Sequence, residues 1–179
     1  MNKDEVIKFW FNEAKPEQWF KKDSAFDAEI ASRFQETVEA AIKGDLDSWK
    51  SDDTGQLALI IMLDQFTRNI FRETPKAFKG DEKALAICLE SLAEGFLQRN
   101  EQNWRYFMLM PMMHSEDLSV QNASLPLFKK YATKNAYGYA EKHRDIIAEY
   151  GRFPHRNEIL GRTSTQKENE FLTQPGSSF

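Results

Sequence analysis

Apolar residues return every third or fourth position along most of the chain, and no run of alternating β-branched residues between turn signals is long enough for a strand. The pattern predicts an all-α protein. A short helix is expected over 3–12, a turn at Pro16 carries Trp19 and Phe20, and a long helix covers 24–43. The stripe of that helix is Phe26, Ile30, Phe34, Val38 and Ala41, and Gly44 supplies its stop. Thr54 is placed to cap the next helix, whose LALIIML half is apolar on every side and must therefore be buried all round. That helix is the expected centre of the fold.

Further helices are expected over 81–97, 104–114, 117–133 and 135–150, with Pro111 near one end, Pro126 inside another and Gly151 as the final stop. Pro154 opens one or two turns closed by Gly161, and Thr165 with Glu168 forms a capping box for a last short helix. No linker, low-complexity segment or repeat at about 34 residues interrupts this order. A single helical domain over 1–179 is expected, with 173–179 frayed.

Composition narrows the class. The chain is 41% hydrophobic and 13% aromatic, too apolar for disorder and too interrupted by charge for a membrane span. A net charge of −4 without a long Lys/Arg block argues against nucleic acid as a partner. One cysteine, Cys88, excludes an internal disulfide and sits at a core-like helical position, and the N-terminus has no signal-like apolar run. A cytoplasmic protein is expected.

Polar residues then appear where apolar ones belong. After LALIIML come Asp64, Gln65, Arg68 and Asn69, two rows at a spacing of four, readable as an internal network or as a pocket wall. His143 shares an inward helix face with Tyr139, Ala140, Ile146, Ile147 and Tyr150, whereas Arg144 and Asp145 diverge from it. In MMHSED, His114 suits a helix end, and Ser115, Glu116 and Asp117 suit a helix start.

GRFPHRNEILGR, residues 151–162, opposes its own local structure. Arg152, His155 and Arg156 crowd the start of the turn opened by Pro154, where a helix dipole is positive. Such a cluster demands an anion, either a bound ligand or an internal acid such as Asp64, Glu116 or Asp145. Arg68, Arg105, Arg144 and Arg162 are available to add to a positive lining.

The usual enzymatic signatures HExxH, CxxC, GxxxxGK[ST], GxSxG and GxGxxG are missing, and no two histidines have helical metal spacing, so neither a metal nor another cofactor is expected. FWF, WF followed by FD, GDLDSW, LDQFTRNIFR, AF, MHSEDLSVQ, HRDIIAEYGRFPHRNEILGR and STQKENEFL, in that order from about residue 6 to 172, resemble a mostly bacterial family known as domain of unknown function 924. The resemblance implies antiparallel helix pairs like those of tetratricopeptide superhelices, and it implies no reaction.

The functional expectation is a pocket where LDQFTRN, MHSED, HRD and GRFPHRN meet, binding a small anionic ligand through Asp64, Arg68, Asn69, Arg105, His114, Arg144, Arg152, Arg156 and Arg162. If it catalyses, His155 or His143 would be the acid or base and Asp145 or Glu116 its orienter. Two rival readings stand beside it: a helical scaffold binding a peptide or protein partner through Trp10, Trp19 or Trp104, and a purely structural network of caps and pairs.

Overall fold

A computed structural model describes residues 2–178 and contains helices and no strand among them. The centre is a continuous rod made of α3 (Asp53–Ile60), a π-helical stretch (Ile61–Phe66) and α4 (Thr67–Ile70). Every residue from Gly55 to Thr67 is buried, as the all-round apolar sequence requires. The cap differs from expectation. Asp52, not Thr54, closes the N-terminus, its side chain accepting from Gly55 N, because the helix starts two residues earlier, at Asp53.

Around this rod pack α1 (Lys3–Lys8), α2 (Ser24–Lys43), α5 (Asp81–Ala93) and α7 (Gln102–Met113). α1 runs on as a π-helical stretch, Phe9–Glu13, that buries Phe9 and Trp10. α2 is capped by Asp23, buries the expected Phe26, Ile30, Phe34, Val38 and Ala41, and ends at Gly44 with φ 97°. Phe9, Trp10, Phe34, Phe66 and Phe107 meet in the interior at ring-centroid distances of 4.9 to 5.9 Å. Such aromatic pairs add packing energy beyond the area they bury.

The helix expected over 81–97 is two pieces. α5 stops at Ala93, Gly95 turns the chain at φ 85°, and α6 (Phe96–Arg99) follows. From α7 the chain continues through α8 (Leu118–Tyr131) and α9 (Lys134–Tyr150), each packed on its predecessor. A 3-10 turn (Pro154–Arg156) and α10 (Gln166–Leu172) close the fold over a small second cluster of Ile146, Ile147 and Phe153. In the tail, Ser177 is buried and its hydroxyl donates to Leu172 O at 3.2 Å. Phe179 lies outside the described residues.

Three tryptophans of the expected peptide groove go inward instead. Trp10 is fully buried, and half-buried Trp19 and Trp104 pack against Phe107 and Phe96. Cys88 is buried, and burial raises its thiol far above the ordinary value, so it is a core residue rather than a nucleophile. No helix among the described residues is long and apolar enough to cross a membrane.

Candidate functional site

The π-helical stretch positions the first functional group. Widening the rod at Ile61–Phe66 turns Asp64 into the interior, where it has no exposed surface. Its Oδ2 accepts from Gln65 Nε2 at 2.6 Å, and its Oδ1 lies 2.8 Å from His114 Nδ1 and 3.7 Å from Arg68 Nη2. Burial alone would raise this carboxyl, but His114 and Arg68 outweigh it and hold the pKa at about 2. An ionised Asp64 can only accept, so His114 carries a hydrogen on Nδ1 and presents Nε2 as its other face. His114 also ends α7 as the sequence expects, its backbone N–H donating to Met110 O.

Arg68 leaves the same rod one turn later. It grips Asp81 with two hydrogen bonds of 2.8 and 2.9 Å, and also donates to Ala77 O at 3.3 Å. Burial works against its charge, but Asp81 and Asp64 more than restore it and push the pKa up. Asp81 was unmarked in the sequence because a first-turn acid on α5 looks like ordinary dipole complementation. Gln65 and Asn69, also four apart, do not pair with each other. Gln65 turns to Asp64, while Asn69 donates to Asp27 Oδ1 at 2.7 Å, beside the Arg72–Asp27 pair.

The GRFPHRNEILGR arginines each find an acid, but not equally. Arg152 holds buried Glu168 at 2.6 and 2.8 Å, lowering that carboxyl to about 2. Arg162 holds Glu116 at 2.7 and 3.0 Å, and Glu116 Oε1 also accepts from Phe153 N at 2.8 Å. Burial opposes the Glu116 charge, while Arg162 and that amide pull its pKa down. Arg156 is different. It is 7% exposed, its nearest acid is Asp81 at 3.5 Å, its Nη2 donates to His114 O at 3.1 Å, and its buried Nε has no hydrogen-bond partner. Phe78 and Phe153 rings lie 4.9 and 4.5 Å from its guanidinium carbon. Burial first, then Arg68, lowers its pKa to about 10.

All three histidines meet here. The rings of His114 and His143 are 6.1 Å apart, and Phe153 lies 5.6 Å from both His143 and His155. His143 donates Nδ1–H to Tyr139 O at 2.8 Å, and burial followed by the charge of His114 lowers its pKa to about 3. Burial followed by Arg156 lowers His155 to about 4. Both are therefore neutral at pH 7, and neither is tuned to exchange protons there. Burial, rather than the turn's dipole, is the first reason that His155 is neutral.

Asp64, Arg68, His114, His143, His155 and Arg156 thus converge, with Glu116 and Arg162 binding the loop beside them. Five expected site residues lie apart. Asp145 pairs with Arg144 on the surface and orients no histidine, because the α9 face that carries His143 excludes it. Arg105 stacks on Tyr131, and Asn69 belongs to the Asp27 cluster. Arg152 is closed off by Glu168, which also forms the expected capping box with Thr165. Among the described residues no group of three His, Cys, Asp or Glu side chains is disposed to hold a metal ion.

The loop's anchoring carries an expected result. Glu116→Gln removes the charge that two Arg162 hydrogen bonds depend on, and should lower stability by about 1 to 2 kcal/mol in equilibrium urea unfolding. An effect below about 0.5 kcal/mol, the scale of an exposed pair, would mean that the contact holds nothing in place.

Residues 6–176 match a family described as a bacterial protein of unknown function, DUF924. The chain belongs to this family. A solved structure described as a protein of unknown function, ATU0120 from Agrobacterium tumefaciens, is similar, with 36% identity over 95% of this chain and 96% of that one, and a TM-score of 0.90. A comparison with curated proteins finds no match. The DUF924 fold thus holds the GRFPHRNEILGR loop, LDQF and MHSED in one assembly.

Proposed function

We propose that this protein binds a small anionic ligand at Arg156 and that His114, oriented by Asp64, acts on it as a general acid or base. The supporting observation is the incomplete neutralisation of Arg156, a buried guanidinium whose nearest carboxylate stands 3.5 Å away and already belongs to Arg68. Burying a cation without a full partner costs several kcal/mol, so the position favours an ion that completes its hydrogen bonds. His114 fits the working role better than His143 or His155. It keeps 13% of its side chain exposed, and its Nδ1 is committed to a buried carboxylate, the arrangement that fixes an imidazole for proton transfer through Nε2.

Small oxyanions are expected to raise the melting temperature of the wild-type protein, and Arg156→Gln should abolish that rise. In any turnover found with small acidic substrates, His114→Asn should lower kcat by about 100-fold or more while leaving the helical signal intact. An equal temperature rise in Arg156→Gln, or unchanged kcat in His114→Asn, would remove these residues from the function.

A further inference from the structure

The charges around Arg156 also restrict what kind of anion fits. Arg68 and Arg156 contribute two positive charges and Asp64 and Asp81 two negative ones, so these four sum to zero, and His114 in its charged form adds a single positive charge. The Glu116–Arg162 pair beside it is likewise balanced. A phosphate monoester brings about −1.5 to −2 charges at neutral pH and would meet two fixed carboxylates with at most one spare positive charge, that of His114. A carboxylate brings one.

Geometry narrows the choice in the same direction. The solvent-facing rim is formed by Arg68, Asp81 and His114, which keep 23%, 23% and 13% of their side chains exposed. A ligand entering between them replaces the long Arg156–Asp81 contact and leaves Asp81 on Arg68, which already binds it through two hydrogen bonds. With the Phe78 and Phe153 rings packed against its guanidinium, Arg156 offers its N–H edge, the geometry that a planar carboxylate meets in a fork.

We infer that the ligand is a small monocarboxylate, bound through Arg156 beside the His114 imidazole, and that phosphate-bearing molecules are discriminated against. This rests on the reading of Arg156 as the anion site. The test is titration of the isotope-labelled wild-type protein with sodium acetate and, separately, sodium phosphate at neutral pH and constant ionic strength, following the Arg156 Nε–H and His114 ring signals by NMR. Acetate should perturb both saturably, with phosphate about ten-fold weaker or worse. Arg156→Lys should lose the acetate response and Arg144→Ala should keep it.

Phosphate binding at Arg156 as tightly as acetate would overturn the carboxylate assignment and leave the anion site standing. If neither ion perturbs Arg156 saturably, both readings fall. Should Arg156→Lys not fold, the comparison of the two ions on the wild-type protein still decides.

Discussion

Gly80→Ala is expected to lower the unfolding free energy by about 3 kcal/mol, at the upper end of the range for forcing extra volume into packed surroundings. A Cβ at residue 80 would stand 2.2 Å from Leu63 O and 2.9 Å from the Leu63 carbonyl carbon and Cα. Those are backbone atoms of the π-helical stretch, and Leu63 O already accepts from Thr67 Oγ1 at 2.8 Å, so it has little freedom to retreat. The glycine's own dihedrals are ordinary, with φ −90°, which makes the effect one of space alone. The start of α5 would have to move, and Asp81 with it, so the Arg68 fork should loosen in the same variant. Gly138→Ala is the internal comparison. No atom lies within 4 Å of a Cβ there, and inside α9 the change should add about 0.5 to 1 kcal/mol. Equilibrium urea unfolding of the two variants checks both signs, and a Gly80→Ala protein as stable as wild type would mean that α5 and the central rod do not meet as closely as described.

The second large effect is a loss of stability on mild acidification. His143 and His155 are held near 3 and 4, below the value of about 6.5 for an unfolded histidine. Because the folded pKa is depressed, the unfolded chain binds more protons between these limits. The stabilisation is therefore whole above about pH 6.5 and is lost as pH falls toward 4 and then 3. Between pH 7 and pH 5, His143 and His155 should each account for about 2 kcal/mol, about 4 kcal/mol together. Asp64 and Glu168, held near 2, add their own losses below about pH 4.5, in the same direction. Urea unfolding at pH 7 and pH 5 measures the difference. His143→Asn should remove about half of it, and a pH-independent wild-type protein would show that the two imidazoles are freely protonated in the fold.

The helices were legible because burial writes itself into period. The all-round apolar LALIIML segment names the central rod, and Phe26, Ile30, Phe34, Val38 and Ala41 name the face of α2, since each position alone decides water or core. The charge demand of GRFPHRNEILGR was legible for a similar reason: three cations and a histidine in one short loop have to be answered. Which acid answers which arginine was hidden. Asp81 and Glu168 each satisfy a local rule, helix-start acidity and a capping box, and nothing local marks a residue that serves a distant partner as well. His114 likewise satisfies a local rule, as the end of a helix. Its bond to Asp64 spans 50 residues and depends on a departure from α-helical spacing that no pattern of period 3.6 registers.

That departure has a bearing on protein engineering. Deleting one residue from Ile61–Phe66 would straighten the rod into an ordinary α-helix, and by conventional measures of helix quality the shortened chain would look improved. It would also swing the Asp64 carboxylate by about a third of a turn away from the imidazole it faces. Redesign that rewards regularity would therefore erase the aim of this side chain first, and a helical signal as strong as before would give no warning.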